Sequence, residues 1–155
     1  EAADTWTDPQ TDVHYQGIGV PIFRWRRAYQ NEFQARMDWC VLPYAKANHP
    51  PVAALNGDGT DRLVRVSIPA GKTLMLDAST SKDPDGDKLA YAWFFYPEAG
   101  TYRGALPALP AETAVPLTVP ADASGTQIHL ILEVQDASPL VTLSDYRRIV
   151  IDVLP

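Results

Sequence analysis

A single cysteine, Cys40, occurs in the 155 residues. No internal disulfide can form and no cysteine cluster can hold zinc. A lone thiol of this kind is expected inside a core as a small hydrophobe. Long apolar runs are also missing. None approaches the roughly eighteen residues of a membrane-spanning helix. Basic charge is scarce, with 13 Lys and Arg against 19 Asp and Glu and a net charge of -6. The short run Arg24, Arg26, Arg27 is a poor substitute for the basic face of a nucleic-acid binder. An acidic chain is also repelled by anionic lipid. Neither nucleic acid nor membrane is therefore an expected partner. The chain has no initiator Met and no signal peptide, so it reads as a mature form or an excised fragment, the second being preferred.

Catalytic signatures are missing too. There is no G-x-S-x-G elbow, no H-E-x-x-H and no glycine-rich phosphate loop before a helix. His14, His49 and His129 are scattered without metal-ligand spacing, and His129 is expected to be exposed on the polar face of a strand. No pair of carboxylates stands out for glycoside hydrolysis; Glu98 and Glu112 read as ordinary loop or strand-edge residues. The chain by itself is not expected to be an enzyme.

What is present points to a mainly β fold. Hydrophobic residues make up 46% of the chain, enough for a core, and 14 prolines with 9 glycines demand many turns. Residues 1–23 read as an irregular strap broken by Pro9 and Pro21. Residues 24–42 read as a helix. Trp25, Tyr29, Phe33, Met37 and Cys40 form one apolar stripe, and Glu32 with Arg36 forms an i,i+4 pair on another face. Such a stripe requires a partner surface, either the following domain or a missing preceding one. Pro43 ends the helix, and residues 44–51 form a linker.

From residue 51 the apolar period changes to two. Short strands are expected at 52–55, 63–68, 73–77, 89–96, 113–119, 127–136 and 146–154, separated by Gly, Pro, Asp and Ser clusters. Seven such strands describe an antiparallel immunoglobulin-like sandwich, with Trp93 buried against Leu76, Leu132 and Ile151. Pro116 weakens the fifth strand.

Two stretches carry candidate chemistry. Asp83, Asp85 and Asp87 alternate around Pro84 and Gly86, and three carboxylates so spaced could converge on calcium. Calcium takes about six to eight oxygens, so Asn48 and Asp136 are the candidate further ligands. The same loop also reads as a solvated turn, with Asp and Gly in their usual roles. The second stretch runs from Phe94 to Tyr102. Strand alternation turns Phe94 and Tyr96 away from the Trp93 core, and Tyr102 follows in a loop with Gly100. Phe94, Tyr96 and Tyr102 are the expected stacking surface for a sugar chain, with Glu98 bonding its hydroxyls. The competing expectation is that these rings are covered by the helix stripe or by residues 1–23.

The run 76–81, followed by the acidic loop and by Leu89, Tyr91 and Trp93, resembles the front half of PKD-type domains. More specific are Arg24-Trp25-Arg26, Glu32-Phe33, the run 35–40, Ala47-Asn48-His49-Pro50-Pro51, and the run from Tyr96 to Tyr102. Together they resemble a bacterial family of cellulose-binding proteins that carry an N-terminal nucleoside-hydrolase-like domain and a C-terminal β-sandwich. The resemblance implies that residues 1–45 are the tail of the hydrolase-like domain and that 46–155 are the sandwich. It implies export to the periplasm or the cell exterior, and a polysaccharide partner such as a β-glucan. No hydrolase motif is matched here, so it implies no catalytic residue. Two functions follow as expectations: a non-catalytic carbohydrate-binding domain, or an accessory domain that stabilises or orients the hydrolase-like domain without binding glycan.

Overall fold

The computed structural model describes residues 4–155. The chain divides into two compact units, residues 1–48 and 49–155.

The first unit begins with a hairpin. β1 (Thr5–Thr7) pairs antiparallel with β2 (His14–Gln16), setting Trp6 opposite Tyr15. Their rings stack at 5.6 Å, and Tyr15 stacks in turn on Phe23 at 4.6 Å. Phe23 lies on α1, which spans Val20–Val41. The helix therefore starts a turn earlier than its apolar stripe suggests. Pro21, expected as a breaker, occupies the first helical turn, where a missing N–H costs nothing and the fixed φ is already helical. The residues expected as an irregular strap thus supply a hairpin and a helix start. Glu32 and Arg36 form the expected ion pair. Cys40 is exposed rather than buried, its thiol directed at the Arg36 carbonyl one turn back.

The second unit holds six strands, not the seven expected. A four-stranded sheet has the order β3-β8-β7-β5, and β4 pairs with β6 in a separate two-stranded sheet. The elements are β3 (Val64–Pro69), β4 (Thr73–Asp77), β5 (Leu89–Phe95), β6 (Ala114–Thr118), β7 (Gln127–Asp136) and β8 (Ser144–Leu154). The pairing of β3 with β8 is parallel, whereas the other pairs are antiparallel. The expected strand at 52–55 is reduced to isolated bridges, Val52 to Lys82 and Leu55 to Asp58. Its inner residues Ala53 and Leu55 still enter the core. Pro116 is tolerated because β6 pairs only with β4, leaving its other edge without a ladder to supply.

Both sheets contribute to one core. Leu76, Val115 and Leu117 come from the small sheet; Trp93, Leu130, Leu132, Val134, Ile149 and Ile151 come from the large one. Each follows the period of two read from its strand. The period also carries a charge inward. Arg147 pairs with Leu132 in the row of Trp93, is buried, and donates to the Asp58 carboxylate at 3.2 Å.

Candidate functional site

The four-stranded sheet brings its non-core positions together on a second face. Strand register sets them in rows: Ala92–Glu133–Tyr146, then Phe94–Ile131–Arg148, then His129–Val150–Arg65, then Gln127–Asp152–Ser67. Tyr96 extends the third row, since its N–H donates to the His129 carbonyl at 2.8 Å. Aromatic, charged and amide side chains therefore share one face with Ile131 and Val150, which are themselves buried.

The polar groups are fixed by one another. Arg148 approaches His129 Nδ1 at 2.7 Å through Nη2 and at 3.1 Å through Nε. A guanidinium can only donate, so Nδ1 accepts and the ring proton sits on Nε2. Nε2 then donates to Gln127 Oε1 at 2.8 Å, and Gln127 Nε2 donates to Asp152 Oδ1 at 2.8 Å. Asp152 also accepts from Arg65 Nη1 at 2.7 and 3.0 Å. Burial, followed by the Arg148 and Arg65 charges, holds His129 below its ordinary 6.5, so the ring is neutral at pH 7. The Gln127 hydrogen bond, reinforced by Arg65, holds the Asp152 carboxyl below its ordinary 3.8. His129 is thus a buried member of a chain of hydrogen bonds, not the exposed residue its polar-face position suggested. A second cluster adjoins it: Glu133 Oε1 accepts from Ser144 at 2.9 Å and from the Tyr146 hydroxyl at 3.0 Å. Burial, then the Glu133 charge, pushes the Tyr146 phenol up.

Of the four residues expected to bind sugar, Phe94 and Tyr96 share this face and are half-buried. Glu98 follows in a single 3-10 turn, Pro97–Ala99, also half-buried. Tyr102 does not join them. Its side chain is 7% exposed, belongs to the core, and donates through its hydroxyl to Asp122 at 2.8 Å. That bond, with burial, raises the phenol pKa. The cause lies in the backbone: the N–H groups of Thr101 and Tyr102 both reach the Gln127 carbonyl, which folds the loop back on the start of β7 and turns the ring inward. A ring so enclosed has no face to offer a sugar.

The acidic loop uses much of its oxygen on itself. Asp83 Oδ1 accepts the N–H groups of Asp85 at 2.8 Å and Asp87 at 3.0 Å. Asp85 accepts the His49 N–H at 2.7 Å and meets His49 Nδ1 at 3.1 Å. Asp136, buried, accepts the Leu143 N–H at 2.9 Å. Asn48 lies in the first unit, where its carbonyl accepts the Trp39 indole N–H at 2.7 Å. Among the described residues, no group of three or more His, Cys, Asp or Glu side chains is placed to hold a metal ion. Burial, then repulsion by Asp83, Asp136 and Asp85, nonetheless lifts the Asp87 carboxyl above its ordinary 3.8. Also among the described residues, no helix is long and apolar enough to cross a membrane.

Comparison with known proteins places the chain. No curated protein matches it. Its fold matches the solved structure of a nucleoside hydrolase-related hypothetical protein from Saccharophagus degradans that is associated with carbohydrate metabolism. The match has a TM-score of 0.82 and 38% identity, and covers 92% of this chain. This chain spans only 35% of that protein. Residues 73–153, which run from the start of β4 to the penultimate residue of β8, match the family model of cellulose-binding protein Sde0182, C-terminal domain. The chain belongs to the family of the C-terminal domain of cellulose-binding protein Sde0182.

Proposed function

We propose that this chain is the non-catalytic, carbohydrate-binding C-terminal part of a larger exported protein whose preceding domain is nucleoside-hydrolase-related. The observation that carries the reading is the outer sheet face, where the half-buried rings of Phe94 and Tyr96 share a surface with the half-buried, hydrogen-bonded pair Gln127 and Asp152. Sugars present apolar ring faces and hydroxyl edges, and this surface offers a match to each. The family's cellulose-binding name and the relative's association with carbohydrate metabolism support the same reading. Glu98, adjoining Tyr96, is the proposed hydroxyl partner, and an insoluble β-glucan is the proposed ligand. Two stacked rings contribute about 0.5–1.5 kcal/mol each, less than the roughly 4 kcal/mol of a millimolar complex, so hydroxyl contacts must add to them and binding of a single chain is about millimolar or weaker. The wild-type chain should therefore be retarded on cellulose, and Phe94→Ala with Tyr96→Ala should abolish retention while unfolding stays cooperative. A wild-type chain retained on no insoluble polysaccharide overturns the proposal. The accessory-domain reading then takes over, favoured by the half-burial of both rings.

The acidic loop carries a separate proposal, that calcium or a proton relieves the repulsion at Asp87. A carboxyl whose folded pKa lies above 3.8 contributes stability that is full below 3.8 and is lost as pH rises through the folded value. Asp87→Asn should accordingly raise the melting temperature at pH 7 and leave it unchanged near pH 3. If calcium is the natural relief, excess calcium against chelator should raise the wild-type melting temperature at pH 7 and not that of the variant. Equal melting of wild type in both buffers leaves the loop a turn.

A further inference from the structure

Helix α1 is amphipathic in the wrong sense for its surroundings. At 100° per residue, Ile22, Tyr29, Phe33, Met37 and Val41 fall within an arc of about 120°. All five are exposed, Phe33 by 64%, Met37 by 48% and Tyr29 by 45%. The buried positions of the helix are Val20 and Ala35, on the opposite side and far smaller. A helix of a water-soluble unit normally does the reverse. The large apolar side, interrupted only by Arg26 and Gln30 in its N-terminal half, belongs against protein, and an exposed apolar stripe of this kind marks an interaction surface.

The unit that carries α1 is also too poor in core to be a domain. Among its described residues only Val20, Ala35, Ala47 and Asn48 are buried, and segments of this length rarely bury enough surface to stand alone. A short hairpin and one helix with an uncovered apolar side are a piece of a larger structure. The Saccharophagus degradans relative indicates which: 92% of this chain matches 35% of that protein, and the protein is nucleoside hydrolase-related. The matched family is a C-terminal domain, so the remainder lies before it.

We infer that the exposed side of α1, formed by Ile22, Tyr29, Phe33, Met37 and Val41, is the seat of the nucleoside-hydrolase-related polypeptide that precedes this segment, and that α1 is structurally part of that domain. The inference rests on the reading of this chain as the C-terminal part of a longer protein, but not on glycan binding. The alternative occupant is a second copy of this chain. A domain fragment with almost no core of its own favours the missing remainder of its domain over a copy of the same fragment.

Cys40 supplies the reporter, since it is exposed and lies on the same side of the helix. The rate at which a maleimide labels Cys40, read by peptide mass spectrometry, is compared between the 155-residue chain and the longer protein. Labelling should be slowed roughly a hundredfold in the longer protein, where reaction must await local opening. Phe33→Glu with Met37→Glu should leave melting of the 155-residue chain unchanged, because both side chains are already in water, and should restore fast labelling or abolish cooperative unfolding in the longer protein. The milder Phe33→Ala keeps the test readable where the double variant does not fold, with labelling expected at an intermediate rate. Equal labelling of both unmutated proteins overturns the inference. So does sedimentation showing a dimer of the 155-residue chain that the Glu variant dissociates. Retention on cellulose is scored separately, so loss of glycan binding with slow Cys40 labelling would sink the proposed ligand and leave this surface standing.

Discussion

Trp93→Ala is expected to destabilise the C-terminal unit by about 3–5 kcal/mol, the cost of deleting a large buried ring. For a unit of this size that is a fall of roughly 15–30 °C in melting temperature. The indole sits mid-strand in β5, 6% exposed, with Leu132 beside it in register and Leu76 and Ile151 in the same core. Its N–H donates to the Glu112 carbonyl at 2.8 Å, which ties the segment before β6 to the large sheet. Alanine therefore opens a cavity and also removes the partner of that carbonyl. Trp93→Phe separates the two effects. It keeps most of the volume and loses the hydrogen bond, so it should cost less by at least half. Urea denaturation of the three proteins measures both steps, and a loss below about 1 kcal/mol for alanine would show that Trp93 is not core.

The core was legible because strand alternation is a local signal. Ile128, Leu130, Leu132 and Val134 in β7, and Ile149, Ile151 and Val153 in β8, are buried as their spacing demands. Other features depend on partners that local spacing cannot display. The segment 52–55 has the composition of a strand, but its pairing is confined to single bridges, so only its apolar residues behave as expected. The parallel match of β3 to β8 joins segments from opposite ends of the unit, and nothing in either strand's alternation sets direction. Pro21 reads as a breaker until its place in the first turn of α1 is known.

The candidate site was legible to the same depth. Alternation placed Phe94 and Tyr96 opposite Trp93, and the sheet keeps them there. Tyr102 and His129 were misplaced for one reason: each is held by a group distant in sequence. Asp122 holds the Tyr102 hydroxyl, and Arg148 on the neighbouring strand holds the His129 ring. A polar residue at an outer strand position is exposed only if no cross-strand partner closes over it. The signal that could have flagged His129 is the alternation of Gln127 and His129 on one strand with Arg148 and Asp152 on the next.

Gly100→Ala should have the second-largest effect, about 2–4 kcal/mol, and for a reason unrelated to glycine's conformational freedom. Its backbone is extended, but an added Cβ would lie 2.6 Å from the Gln127 carbonyl oxygen. That oxygen already accepts the N–H groups of Thr101 at 2.9 Å and Tyr102 at 3.3 Å, while the Gln127 N–H donates to Thr101 Oγ1 at 2.8 Å. The methyl can be seated only by prising the 97–102 loop from β7, which breaks these bonds and withdraws Tyr102 from the core. Gln127 is also the link between His129 and Asp152, so the outer face is disturbed at the same stroke. Gly100→Ala should thus lose both stability and cellulose retention, whereas the paired Phe94 and Tyr96 substitutions should lose retention alone. Unaltered melting of Gly100→Ala would mean that the loop moves aside at no cost, and a loop that loose could not hold Glu98 in place beside Tyr96.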